Sequence, residues 1–350
     1  MATATATPRA SRRSVLSPVV LVVALLVLLL TVLVSVCLGA ADLGWTRVLH
    51  EIWAQLTGGT SPLTDNEAAI LWQLRVPRIV LAGVVGAALA CAGAAYQGVF
   101  RNPLADPYLL GAAAGAGLGA TMVTVFLATL PGAVPGAAFV GALVGVGLTW
   151  LLGRSASAGS SNTAVLLLAG VAVTAFLTAI QTFVQQLNTD TIKQVYSWML
   201  GGLNTTGWQD LRVALPYIAP ALVVLCLCGR LLDVLAVGDE EAASLGVRPD
   251  RVRLVVVLAA SLATAAAVSV SGLIGFVGIV VPHVVRLLAG TSYRIVLPVT
   301  ILGGATFMII ADQIARTAFA PAELPLGVIT AFTGAPFFVF VLYTQRRRFA

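Results

Sequence analysis

Most of the chain alternates between long apolar runs and short polar breaks, and the runs are close to one size. A helix needs about 20 residues to cross a hydrocarbon core of roughly 30 Å. Runs of that order recur at 16–38, 79–99, 109–130, 133–152, 164–186, 211–228, 254–270, 273–288, 295–314 and 327–343. The pattern predicts an all-α, polytopic membrane protein with about ten transmembrane helices. The eighth run is short and holds Gly275, Gly278 and Pro282, which suits a broken or re-entrant element. The second run is dominated by Gly and Ala, residues that let helix backbones approach closely, so it is expected inside the bundle.

One stretch breaks this pattern. The segment RLLDVLAVGDEEAASLGVRPDRVR, from Arg230 to Arg253, crowds Asp233, Asp239, Glu240, Glu241 and Asp250 among four arginines. It is too polar for lipid. Leu232, Leu235, Ala236, Ala242, Ala243 and Leu245 form small apolar faces at helical spacing, and Gly238 and Gly246 supply breaks. Two short helices at the membrane surface are predicted there, at a place of contact with another protein.

Composition fits this picture: 59% of residues are hydrophobic and 10% charged, with a mean hydropathy of +0.99, far from a soluble globular domain. Basic residues gather in cytoplasmic loops. With the N-terminus inside, Arg9, Arg12, Arg13, Arg101, Arg154, Arg230, Arg248, Arg251, Arg253, Arg286, Arg294, Arg346, Arg347 and Arg348 fall on that side, 14 of the 20 basic residues. Ten crossings return the C-terminus to the same side. The resulting division is a cytoplasmic tail at 1–15, a transmembrane region at 16–345 with a cytoplasmic segment at 230–251, and a second tail at 346–350. Topology therefore accounts for the basic pI, and nucleic acid has no place in the account. The first run is read as an uncleaved helix, since no clear A-x-A site ends it. Cys37, Cys91, Cys226 and Cys228 lie in or at the ends of apolar runs. Cys226 and Cys228 point to different helix faces, which suits neither a disulfide nor a metal clip. His283, without a second ligand nearby, is expected to bond a loop carbonyl, and no metal site is predicted.

Two sets of polar residues sit where the membrane pattern does not ask for them. Arg75 and Arg78 stand three apart at the outer mouth of the second helix, and Arg316 lies at another outer loop. Together they suit an exposed patch for an acidic partner, since arginine pairs bidentately with carboxylates. Snorkelling to headgroups is the plainer reading. In the fifth helix, Thr174, Thr178, Gln181, Thr182, Gln185 and Gln186 place polar side chains along one face. Such a stripe either bonds to neighbouring helices or lines a wet path. Trp45, Trp53 and Trp72 are spaced as interfacial anchors would be. The outer stretch VYSWMLGGLNTTGW reads as a short helix broken at Gly201 and Gly202, and the sequon at Asn204 as chance.

Five blocks resemble a known family: LRVPRIVLAGVVGAALACAGAAYQGVFRNPLADPYLLG, YSWMLGGLNTTGW, LAVGDEEAASLGV, GLIGFVGIVVPHVVRLLAG and AELPLGVITAFTGAPFF. In content, order and spacing they are similar to the FecCD-type permease subunits of ATP-driven importers for iron-siderophores, haem and vitamin B12. The resemblance implies the type II importer permease fold in a bacterial cytoplasmic (inner) membrane, with both termini cytoplasmic. It implies a second permease subunit, the same or homologous, two cytoplasmic ATP-binding subunits and an extracytoplasmic substrate-binding protein. It gives the ATPase-coupling role to Leu235, Ala236, Val237, Gly238, Asp239, Glu240, Glu241, Ala242, Ala243, Ser244, Leu245, Gly246 and Val247. Arg75, Arg78 and Arg316 match the arginines that meet the binding protein, and Thr174, Thr178, Gln181, Thr182 and Gln185 are the candidate path. No G-x-x-x-x-G-K-[ST] is present, so the chain is not expected to be an enzyme, and ATP and Mg belong to the partner ATPase. Iron(III)-siderophore is the expected cargo, with vitamin B12 or haem as alternatives. An ion-coupled secondary transporter would need ionisable residues in mid-membrane. Here the charges fall at helix ends, Asp312 lying deepest.

Overall fold

The structure is a computed structural model that describes residues 18–39, 41–127, 132–156, 163–203 and 207–349. The tail at 1–15, most of the loop after Arg154 and the sequon at Asn204 lie outside the described residues. Among the described residues the chain is helical with no strand. In order the helices are α1 (Pro18–Cys37), α2 (Trp45–Thr57), α3 (Asp65–Ala69), α4 (Val76–Phe100), α5 (Ala112–Phe126), α6 (Ala133–Ala156), α7 (Thr163–Leu187) and α8 (Ile192–Met199). They continue with α9 (Gln209–Leu227), α10 (Gly229–Leu235), α11 (Asp239–Ser244), α12 (Pro249–Ser271), α13 (Val277–Ala289), α14 (Tyr293–Thr317) and α15 (Leu326–Phe349). A π-helical stretch (Ile70–Arg75) joins α3 to α4 without a break, and a 3₁₀ turn (Pro107–Leu110) leads into α5.

Among the described residues, seven helices are long and apolar enough to cross a membrane, and Ala112–Phe126, Val277–Ala289 and Leu326–Val341 are shorter apolar helices. These ten correspond one to one with the ten apolar runs. The eighth is broken as its glycines suggest: 272–276 is non-helical, Gly272 and Phe276 both have positive φ, and the helix begins only at Val277.

α4 lies at the centre and packs on α14, α12, α13 and α9. Nearly all of its side chains from Val85 to Phe100 are buried. Small residues make this possible. A Cβ at Gly86 would strike the carbonyl of Gly304 in α14, and one at Gly93 would strike the carbonyl of Gly278 in α13. With no hydrophobic drive between helices in lipid, such close packing holds the bundle together. α5, α6 and α7 form a second group, joined to the first where α6 and α5 meet α12. α1 lies at the edge against α14 and exposes most of its apolar side chains, as a lipid-facing helix must.

Candidate functional site

The two polar features of the sequence lie at opposite ends of α4. Arg78 is near one end and Arg101 at the other, roughly 34 Å apart at 1.5 Å per residue.

At the Arg101 end, α10 buries Leu232 and Leu235 against the bundle. Asp233 accepts from Ser292 Oγ at 2.6 Å and from the backbone N–H of Tyr293 at 2.6 Å, and so holds the first turn of α14. α11 follows after Gly238 and buries Ala242. Asp239 Oδ1 accepts from Arg101 Nη2 and Arg253 Nη2, both at 2.7 Å. One carboxylate thus ties α11 to the turn after α4 and to the first turns of α12. Arg253 is buried in this contact and fixes the first turns of α12, whereas Arg248 is exposed. The opposite side of the segment is free. Ala236, Glu240, Glu241, Ala243 and Ser244 are exposed, and Val237 and Leu245 are each 69% exposed. Beside them opens a shallow pocket lined by residues from Ala243 to Arg251. The segment is thus fixed on one side and presents two bare aliphatic side chains among charged ones on the other.

At the Arg78 end, the expected patch of three exposed arginines is corrected. Arg75 is buried and donates to Val36 O at 2.9 Å and Ala41 O at 2.6 Å. Arg316 is buried too, its Nε 2.9 Å from Asp312 Oδ2 and its Nη2 donating to Gln313 Oε1 at 2.7 Å. Desolvating an arginine demands such partners, and the C-terminal ends of α1 and α14 and the turn after α1 supply them. Only Arg78 keeps an outward edge. Its Nε donates to the buried Asp312 at 2.9 Å, while Nη1 and Nη2 form a bidentate pair with Glu323 at 3.0 and 2.9 Å. Sequence reasoning missed Glu323, and the acid of AELPLG was the available signal. The same loop is tied at both ends by backbone. Leu324 N–H donates to Ala315 O at 3.0 Å, and Leu326 and Gly327 N–H donate to Gly201 and Leu200 O, each at 3.0 Å. Gly202 N–H reaches Ser271 O at 2.8 Å. The break after α8, the end of α12 and the start of α15 therefore meet at the Arg78 end of the bundle.

Comparison with known proteins decides what carries these two ends. Residues 26–344 match the model of the FecCD transport family. The chain belongs to that family. It is 38% identical over 318 residues to the hemin transport system permease protein HmuU of Yersinia pestis, covering 89% of this chain and 93% of the relative. It is 39% identical over 284 residues to the cobalamin import system permease protein BtuC of Halobacterium salinarum, covering 81% and 76% respectively. A metal-chelate type ABC transporter solved in an inward-facing conformation superposes with a TM-score of 0.82 at 27% identity, covering 94% of this chain and all of that one. The fold is the type II ABC importer permease fold.

In this FecCD chain the polar stripe of α7 divides. Gln181 is buried and donates to Met199 Sδ of α8 at 3.0 Å, and Thr182 donates to Thr178 O within its own helix at 2.9 Å. Thr178 and Thr182 are exposed, and Thr174 and Gln185 are half-buried. The stripe runs beside the buried face of α7 (Val173, Leu177, Val184), with Gln181 belonging to both. Trp72 is not an outward anchor: it donates through Nε1 to Glu51 of α2 at 3.0 Å. His283 meets Phe337 edge-on at 5.6 Å rather than a loop carbonyl. Among the described residues no group of three His, Cys, Asp or Glu is placed to hold a metal, and the four cysteines are free.

Proposed function

We propose that the chain is a membrane-spanning subunit of an ATP-driven importer that brings a metal chelate across the cytoplasmic membrane, working with a second permease subunit of the same or homologous kind. Two ATP-binding subunits, carrying ATP and Mg, engage residues 235–247 from the cytoplasm, and an extracytoplasmic binding protein delivers cargo at the Arg78 end. Both termini are cytoplasmic in this reading. The observation that carries it is the segment clamped by Asp239, whose exposed face offers Val237, Glu240, Glu241 and Leu245 while its other face is fixed to α4 and α12. A load applied to it would pass straight into the central helix.

Two features support details of this reading. Asp312, the deepest acid, is held between Arg78 and Arg316. A carboxylate so paired is poorly placed to take up and release a coupling ion, which speaks against secondary transport. The relatives named for haem and cobalamin carry bulky chelates, and the Thr and Gln side chains of α7 suit loose passage of such a cargo. Within that class we propose iron(III)-siderophore, moving past Thr174, Thr178, Gln181, Thr182 and Gln185. Uptake in energised vesicles tests the machine: vanadate should abolish it, and an uncoupler should spare it over short times. The reverse result would establish ion coupling. Binding of siderophore, haem and cobalamin to the partner binding protein names the cargo.

A further inference from the structure

The outer helix α2 is not used by the function proposed above, and its two faces differ sharply. Val48, Glu51 and Ala54 are buried against the protein. Glu51 accepts from Trp72 Nε1 at 3.0 Å, from Gln55 Nε2 at 3.3 Å and from Ser61 Oγ. These bonds fix the helix about its axis. The face this leaves outward carries Trp45, Leu49, Trp53 and Leu56, which are 63%, 37%, 67% and 77% exposed. Their spacing of four, four and three residues makes one continuous stripe. Four large apolar side chains in a row facing water would be a standing liability.

The height of α2 says what covers them. The apolar run that forms α1 ends at Leu38, and the chain turns polar at Asp42, so α1 leaves the hydrocarbon near its last residue, Cys37. Arg75 is level with that point, because it donates to Val36 O and Ala41 O. Trp72 stands three residues further out on the same continuous helix, about one turn, and it is Trp72 that grips the middle of α2. The headgroup layer extends about 5–7 Å beyond the hydrocarbon. α2 therefore lies within that layer, directly after the lipid-facing α1. Its composition also suits the boundary, where Trp rings settle with polar groups on the opposite helix face.

We propose that α2 is an interfacial helix of the outer leaflet, lying along the bilayer surface with Trp45, Leu49, Trp53 and Leu56 sunk among headgroups and upper acyl chains. The partner of this surface is lipid. Anchored there, α2 would set the height and tilt of α1 and of the Arg75 end of α4 through the Glu51 to Trp72 bond.

The test uses the full-length chain in vesicles of phosphatidylethanolamine and phosphatidylglycerol. The emission lost on Trp53→Phe reports Trp53. It should be quenched strongly by lipids brominated near the headgroup, less by lipids brominated near the chain ends, and little by aqueous iodide. A nitroxide on Leu56→Cys, read as the difference from the parent chain, should collide more with oxygen than with a water-soluble nickel chelate. Quenching by iodide with no response to brominated lipid would overturn the proposal. So would protection that develops only when binding protein is added, which would make α2 a docking platform, or protection that disappears when the permease is diluted to single copies in detergent.

Discussion

Arg78 divides one guanidinium between two carboxylates of different standing. Asp312 is 1% exposed and also serves Arg316, so its loss would leave the buried Arg316 without its carboxylate and take from Arg78 its buried partner. Glu323 is 45% exposed and sits on a loop that its own backbone bonds hold in place. An acidic partner that seeks the outward edge of Arg78 must displace Glu323. Glu323→Gln should therefore tighten the binding protein's hold, by up to about fivefold for a partly exposed pair. It should also steepen the salt dependence, because docking then gains an ion pair instead of exchanging one. Titration of reconstituted permease with binding protein measures both. Weaker binding by Glu323→Gln would mean that Glu323 belongs to the contact itself. Arg78→Glu, which should weaken binding, tests the docking role separately.

At the scale of the helices, what could be read from the sequence followed from how local each signal was. The ten spans were legible because length and hydropathy are properties of one segment, and the break in the eighth run because Gly275 is visible as a residue, although Gly278 and Pro282, read with it, fall inside α13. The burial of Arg75 and Arg316 was not legible. It depends on Val36 and Ala41 reaching Arg75, and on Ser35 of α1 reaching Arg316, from other places in the chain, although Asp312 and Gln313 lie one turn before Arg316 on its own helix. The inward turn of Trp72 is the same kind of miss, since its partner Glu51 sits on a separate helix. The Gly and Ala content of α4 was readable as close packing, but only the fold pairs Gly93 with Gly278 and Gly86 with Gly304. Gly93→Val should cost about 3 kcal/mol or more and leave little folded protein by size-exclusion chromatography. Gly136→Ala, with open space around its Cβ position, should behave as the parent. α2 carries a pH signature. Hydrogen bonds from Ser61, then Trp72, hold the Glu51 carboxyl below its ordinary value. The attachment they provide is fully present above the usual carboxylate range and is lost as pH falls through the lowered value. Trp72 emission should therefore shift on acidification in the parent, while Glu51→Gln should remove that step.

Across the whole molecule, the two polar clusters are joined by α4, the most buried of the long apolar helices among the described residues. α4 has Arg101 against Asp239 at one end and Arg78 against Asp312 at the other, with Gly contacts to α13 and α14 between them. Interfaces this close are displaced as units rather than bent, so a push on α11 is expected to move α4, α13 and α14 together. Such coupling requires the exposed face of the segment to receive the push, and that can be separated from folding. Val237 and Leu245 touch little within the chain, so Val237→Asp and Leu245→Asp should change the permease's own stability by no more than about 0.5 kcal/mol. If they are the apolar contacts of the ATPase groove, each should weaken ATPase association at least tenfold, about 1.4 kcal/mol. Leu235→Ala is the counterpart. Leu235 is 1% exposed in the bundle, and its truncation should lower thermal stability by about 2–5 kcal/mol and affect association only through loss of folded protein. Co-purification of ATPase with each variant, alongside its melting temperature, separates the two effects. Normal association with Val237→Asp and Leu245→Asp together would move the coupling contact away from residues 235–247.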